Sequence, residues 1–257
     1  MIWVFSQREQ GRCRELDAQL EEGLRNLRAN GFEASLAENR SAALQIVLAS
    51  ISKDSIVGVG DSATIRQIGI IEELEKKGIT VLNPFSKNLT TDEAKTMVRD
   101  DISRQIFSCD LLVSGTNAIT ADGKLVNTDA VGNRVASMIF GPRKVLVIAG
   151  KNKIVKDVSE ALYRIKNLIA PFHAKTKRFA TPCAQTGRCS DCSAPKRICS
   201  VTSIIEKRPW RTAMKIVIVN EDLGLGWDED WPEDRIRSIK SNYEKVTWIF
   251  ASAKTNQ

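Results

Sequence analysis

Apolar residues recur along this chain in two rhythms, one helical and one strand-like. Leu16, Leu20, Leu24 and Leu27 share one face of a helix predicted over 12–30, and Asn30-Gly31 is its stop. A strand over 32–37 and an amphipathic helix over 41–50 follow, with Ser41 as N-cap. Residues 56–60 read as a strand entering a turn, and a helix over 65–77 ends at Gly78. A strand over 79–82 precedes a helix over 92–107 that Thr91 or Asp92 would cap. Apolar runs at 111–113, 145–149 and 214–219 predict buried strands. Helices are expected over 134–139, 152–167 and 232–240, and a last strand over 246–250. Such alternation predicts an α/β fold, a mainly parallel sheet with helices on both faces.

The polar residues gather where these strands end. Ser114, Gly115, Thr116 and Asn117 follow one strand. Asp122-Gly123 then marks a hairpin between the runs 118–120 and 124–126. Asn127, Asp129, Asn133 and Arg134 stand just before the next helix. Single amides and carboxylates often serve turns and caps, but their density here points to a ligand pocket at the strand ends. A second candidate is the turn Gly58, Gly60, Asp61, Ser62, Thr64, where small residues and hydroxyls adjoin a helix start that favours an anion. It is neither a Walker A sequence nor a dinucleotide fingerprint. Asp129 and Asp61 are the candidate acid/base groups. His173 is the only histidine and reads as a surface or packing residue.

Composition narrows the class. With 42% hydrophobic and 27% charged residues the chain is an ordinary globular protein, read as one domain over 1–257. Its apolar runs are strand-sized, so no membrane span is expected, and 1–5 is too short for a signal-peptide core. A cytoplasmic setting follows. The charge is uneven: residues 173–211 hold nine Lys/Arg against two acids, the whole net charge of +7. Around them, 171–211 is rich in Pro, Cys, Lys and Arg without periodicity, and reads as an irregular insertion. Cys183, Cys189, Cys192 and Cys199 lie in it, with a C-x-x-C pair at the centre. Four such thiolates can hold an iron–sulfur cluster, with zinc as the alternative. Arg188, Lys196 and Arg197 would suit the anionic cluster.

The hub residues Ser114 to Asn127, with Gly132 to Ala136, resemble the LUD-domain (lactate utilisation protein) family. Gly58 to Ser62 and Gly141 to Val145 are similar to the same family, and the segment from Thr181 through Cys199 resembles a cysteine-bearing subgroup of it. That resemblance implies a fold similar to the ribose-5-phosphate isomerase/CoA-transferase-like architecture. It also implies a place in oxidation of L-lactate to pyruvate, beside partner iron–sulfur or dehydrogenase subunits. The hub is distantly similar to methylthioribose-1-phosphate isomerase, but Asn117 stands where that family has an aspartate, and an amide is no general acid or base. Three functions are carried forward. The first is an iron–sulfur or accessory subunit with an anionic small molecule in its pocket. The second is an isomerase or transferase acting on a phosphorylated small molecule. The third, a zinc-stabilised nucleic-acid-binding regulator, ranks last because no set of stacking aromatics accompanies the basic window.

Overall fold

The computed structural model describes residues 7–86 and 93–247. In chain order, α1 (Gln7–Ala29) leads to β1 (Glu33–Ala37) and α2 (Arg40–Ala49) to β2 (Ile56–Val59). Next, α3 (Ala63–Ile68) and α4 (Ile70–Lys76) lead to β3 (Thr80–Leu82), and α5 (Glu93–Gln105) to β4 (Leu111–Gly115). The hairpin of β5 (Ala118–Thr120) and β6 (Leu125–Asp129) follows, then α6 (Asn133–Ile139), β7 (Lys144–Gly150) and β8 (Ile154–Val155). A helical run, α7 (Val158–Arg164), passes through a π-helical turn (Ile165–Ile169) into α8 (Ala170–Thr176). After it come α9 (Pro182–Thr186), β9 (Val201–Ile205), β10 (Ala213–Val219) and α10 (Glu233–Val246).

Six strands form one parallel sheet in the order β1-β10-β7-β4-β2-β3. The pleat sends alternate side chains to opposite faces, and both faces are buried. Along β7, Val145, Val147 and Ala149 pack with Leu20 and Leu27 of α1 and Met138 of α6. Leu146 and Ile148 pack the other way, with Val47 of α2, Ile65 of α3 and Leu74 of α4. Such strands read as continuous apolar runs, which is why 145–149 and 214–219 were legible.

The expected single sheet is joined by a second, four-stranded one in the order β8-β5-β6-β9. The Asp122-Gly123 hairpin is its centre, with Gly123 at φ +81°. One of its faces, with Ala118, Val126 and Val155, packs on Ile165, Ile169, Trp227, Ile239 and Tyr243. The segment 171–211 is therefore less irregular than expected. β9 pairs residue for residue with β6, from Val201 opposite Asp129 to Ile205 opposite Leu125.

Other departures have local causes. Asn39, not Ser41, caps α2, its Oδ1 accepting from the Ala42 amide at 2.9 Å. The expected helix over 65–77 is broken at Gly69, whose φ of +76° ends one helix and starts the next. The expected helix over 152–167 starts only at Val158 under an Asp157 cap, because Ile154 and Val155 are held in a strand beside β5. It then continues past Pro171. Proline has no N–H to donate four residues back, and the widened π turn lies directly before it. The last helix runs on to Val246, so the strand expected from that residue does not begin there. Its residues 248–250, like the caps Thr91 and Asp92, lie outside the described residues.

The order of the strands places the site. From β2 the chain steps to β3 on one side, whereas from β4 it steps to β7 and β10 on the other. The direction reverses between β2 and β4, and the loops leaving those two strands diverge and open a crevice. Gly115, the last residue of β4, lies so close to Ser62 that an added Cβ would overlap its hydroxyl. Ser62 would then have to rotate and lose its capping contact with the Ile65 amide. Gly115→Ala is expected to lower stability by about 1–2 kcal/mol. In a Ser62→Ala background the same change should cost only a few tenths. Chemical denaturation of the four proteins of this cycle checks the coupling.

Candidate functional site

The crevice is a cavity of about 570 Å³ beyond the carboxyl ends of β2 and β4. Its walls come from the turn after β2, the turn after β4, the end of β6, the start of α6, the residue Lys153 after β7, and one face of the π turn and α8. Arg99 and Arg104 of α5 and Tyr243 of α10 add to them.

Arg134 ties the hub together. Its Nη1 donates to Asn127 Oδ1 at 2.8 Å, and its Nη2 to Thr128 O at 2.9 Å and Asn117 Oδ1 at 3.1 Å. Nε lies 3.6 Å from Asp129 Oδ2, which also accepts from the Val135 amide at 3.3 Å. Asn117 Oδ1 in turn accepts from the Thr128 amide at 2.9 Å. One guanidinium, a rigid planar fork of donors, thus fixes both ends of the hairpin to the first turn of α6.

A second knot lies beside it. Asp61 accepts from Lys177 Nζ at 2.5 Å and from Arg66 Nη2 at 2.8 Å. Burial alone would raise the pKa of this carboxyl, but the ammonium of Lys177 and the guanidinium of Arg66 overcome it and hold Asp61 far below the ordinary range. Asp61 stays ionised at neutral pH and anchors the turn after β2 to α8. That environment leaves it a poor proton acceptor. Asp129, which holds a helix start and faces Arg134, is likewise placed as a scaffold group.

Lys153 is different. It is 6% exposed, and its Nζ donates to Thr116 O at 2.8 Å and Thr64 Oγ1 at 3.1 Å. No carboxylate among the described residues pairs with it. Burial, with the charge of Arg134 nearby, brings its pKa down to about 7. Gly224, at φ +68°, lets the backbone pass over it where a Cβ would press on Nζ. The lone histidine also belongs to the cleft rather than to the surface. His173 Nδ1 is 2.5 Å from the Tyr243 hydroxyl, its ring stacks on Phe179, and burial beside Lys177 brings its pKa down to about 3. Its imidazole is neutral.

Of the residues singled out from sequence, Asp61, Ser62, Gly115, Thr116, Asn117, Asp129, Asn133 and Arg134 line the cleft together. Four others lie beneath its walls. Gly58 makes room for Ile106 and Cys109, and Gly60 for Ser114 and Arg134. Thr64 and Asn127 are fully buried supports of Lys153 and Arg134. Lys153, Lys177, Arg66 and Tyr243 were not singled out. Lys153 had one signal available, its place just after a buried parallel strand. Arg66 stands on the helix that directly follows the first turn, and Lys177 and Tyr243 reach the cleft through tertiary packing.

Cys183 stands on α9 and Cys189, Cys192 and Cys199 on the loop between α9 and β9, all four free and partly buried. Arg197 closes this loop, donating to Cys192 O at 2.7 Å and Cys199 O at 3.3 Å and pairing with Asp191 at 2.7 Å. Burial raises the Cys199 pKa, Arg197 opposes it, and Cys189 and Cys183 add to the rise, so three of the sulfurs lie within electrostatic range. Among the described residues no three His, Cys, Asp or Glu side chains are placed to share a single metal ion. The loop adjoins the cleft: Ile198 lines it, and the Ser200 amide donates to Asp129 O at 3.0 Å.

The profile of the LUD domain matches residues 20–219. The chain belongs to the LUD-domain family. That family is linked to lactate utilisation. Among solved structures, this LUD-domain protein is similar to a DUF162 family protein from Deinococcus radiodurans, at 11% identity and a TM-score of 0.47, over 80% of this chain and 98% of that one. It is also similar to eIF2B delta from Chaetomium thermophilum, at 16% identity and a TM-score of 0.30, over 60% and 57% of the two chains. No curated protein matches it in sequence.

Asp61→Asn would take the carboxylate charge away from Lys177, which is 1% exposed at its side chain. The expected loss is about 3 kcal/mol, with part of it recovered by adding Lys177→Met. Thermal or urea unfolding checks this, and equal losses in the single and double variants would contradict it.

Proposed function

We propose that this LUD-domain protein serves in the oxidation of L-lactate to pyruvate as an iron–sulfur or accessory subunit, holding a small organic anion in the switch-point cleft. The observation that carries the reading is the charge of that cleft. Arg66, Arg99, Arg104, Arg134, Lys153 and Lys177 line it, against Asp61, Asp100 and Asp129. An excess of cations in a cleft draws in a carboxylate, and the field of low-dielectric walls strengthens the pull. Lactate and pyruvate are both small carboxylates, so either would answer that charge.

The cysteine loop supports the second half. One thiol on α9 and three on the loop after it, which Arg197 bridges, provide the donors and a nearby cation for an anionic cluster. The ligand sulfurs of a cluster stand further apart than those around one zinc ion, which suits thiols that feel one another without meeting at a point. When bound, such a cluster would pass single electrons. Lactate gives up two, so a partner dehydrogenase subunit would perform the oxidation itself. Reduced thiols fit a cytoplasmic setting. No described helix is long and apolar enough to cross a membrane.

The competing readings lose support from the same geometry. A phosphosugar isomerase would need Asp61 or Asp129 as proton carrier, and both are committed to cations. A nucleic-acid binder would find seven exposed cations in the basic window, Lys177 being buried and Arg197 spent on its own loop, but it would also need aromatic rings among them. Trp210 is 96% exposed beside Arg211, but one ring is not a stacking platform.

Metal analysis of the full chain purified without oxygen tests this function. A cubane held by this loop gives about four irons and four acid-labile sulfides per chain, and Cys192→Ser lowers both. Stoichiometric zinc without iron would contradict the redox role.

A further inference from the structure

We propose that Lys153 is a nucleophile: its amine condenses reversibly with the carbonyl carbon of a small 2-oxo acid held in the cleft, forming an imine. This deepens the proposed function, since it rests on reading the cleft as a carboxylate site and names the covalent chemistry available there.

The geometry separates Lys153 from every other lysine whose surroundings are described in the cleft. Lys177 is clamped by Asp61, whose charge opposes the fall in pKa that burial causes, so its amine is already engaged. Lys153 touches only neutral oxygens, the Thr116 carbonyl and the Thr64 hydroxyl. A neutral amine has two hydrogens and one lone pair. The two bonds use both hydrogens, and the remaining position of the nitrogen is left for an electrophile. The charge of Arg134 and the loss of solvent both favour the neutral form, as in other lysines activated by burial beside a cation. Gly224 is the device that keeps the place open, because any side chain there would press on Nζ. Thr64, which touches Nζ from below, explains a buried hydroxyl that has no role in lining the cavity.

The ligand class follows from two groups at once. The cationic excess asks for a carboxylate, and the amine asks for an adjacent carbonyl. A 2-oxo acid carries both on neighbouring carbons. In the first step the Nζ lone pair forms the N–C bond, the carbonyl π pair moves to oxygen, and a proton moves from nitrogen to that oxygen, giving a carbinolamine. In the second, the C–O bond breaks, water leaves with the remaining nitrogen proton, and the imine forms. No oxidant or reductant enters. The neutral pair of His173 and Tyr243 lines the same cavity and supplies groups able to relay those protons.

Borohydride trapping tests this on the full-length protein. The chain is incubated with pyruvate and sodium cyanoborohydride near neutral pH, and adducts are located by peptide mass mapping. An ordinary lysine has only about one neutral amine in a thousand at that pH, so labelling at Lys153 should exceed that of any surface lysine by about tenfold or more. Lactate, which has the carboxylate but no carbonyl, should compete with the labelling. Lys153→Arg keeps the charge and should abolish the adduct. Should that variant not fold, the mapped site in the natural chain still decides. Adducts spread evenly over surface lysines, or none at all, would overturn the imine. If calorimetry then showed saturable lactate binding, the carboxylate reading of the cleft would stand alone; absent heat would remove both.

Discussion

A single carboxylate, Asp61, carries two cations, and much of the cleft depends on that arrangement. It sits at the turn after β2, bonded to Arg66 on the helix that follows and to Lys177 at the end of α8. These partners are far apart in sequence, so the ion pair fixes the long helical run against the switch point. Removing a buried partner from such a group is costly, because the remaining charge has no water to return to. The same pairing also consumes Asp61. Its charge neutralises part of the positive charge around it, that of Arg134 included, and Arg134 also faces Asp129 at 3.6 Å. A positive excess remains along the cleft, six cations against three carboxylates.

Arg134 plays the complementary part on the other wall. By drawing in Asn117, Asn127 and Thr128 it makes the hairpin a rigid border of the cleft. β9 adds itself to the edge of that hairpin, and the cysteine loop arrives immediately before it. The backbone bond from Ser200 to Asp129 therefore links two chemistries that lie far apart in sequence. A cluster in the loop and an anion in the cleft would share the β6–β9 ladder as their common wall.

Much of the framework was legible because buried parallel strands leave continuous apolar runs, as at 145–149 and 214–219. The hairpin was legible because Asp122-Gly123 needs a left-handed glycine, and Gly123 has one. The hub polar residues were found because they stand where strands end. What escaped was set by tertiary packing. Periodicity placed Val155 on a helix, but β5 claims it for a strand, and this hid Lys153 on the surface of an imagined helix. His173 has an unremarkable sequence context, and only the packing of α8 against α10 brings it to Tyr243. The glycines of the first turn were read for closeness to a ligand. In the fold they make room for Ile106, Cys109 and Ser114.

The cleft holds more positive charge than its own carboxylates neutralise, with Lys153 as the part that titrates near neutrality. The groups set around that amine are Arg134, the Thr116 carbonyl and the Thr64 hydroxyl. Its pKa is lowered in the free protein, to about 7, and an anion stabilises the protonated form, so binding should be accompanied by proton uptake. Calorimetric titration with oxalate, an unreactive dicarboxylate, from about pH 6 to about pH 9 measures this directly. The account predicts saturable binding that is tightest below about pH 7 and weakens steadily as the pH rises through that value. Absence of binding, or an affinity that does not change across the range, would contradict it.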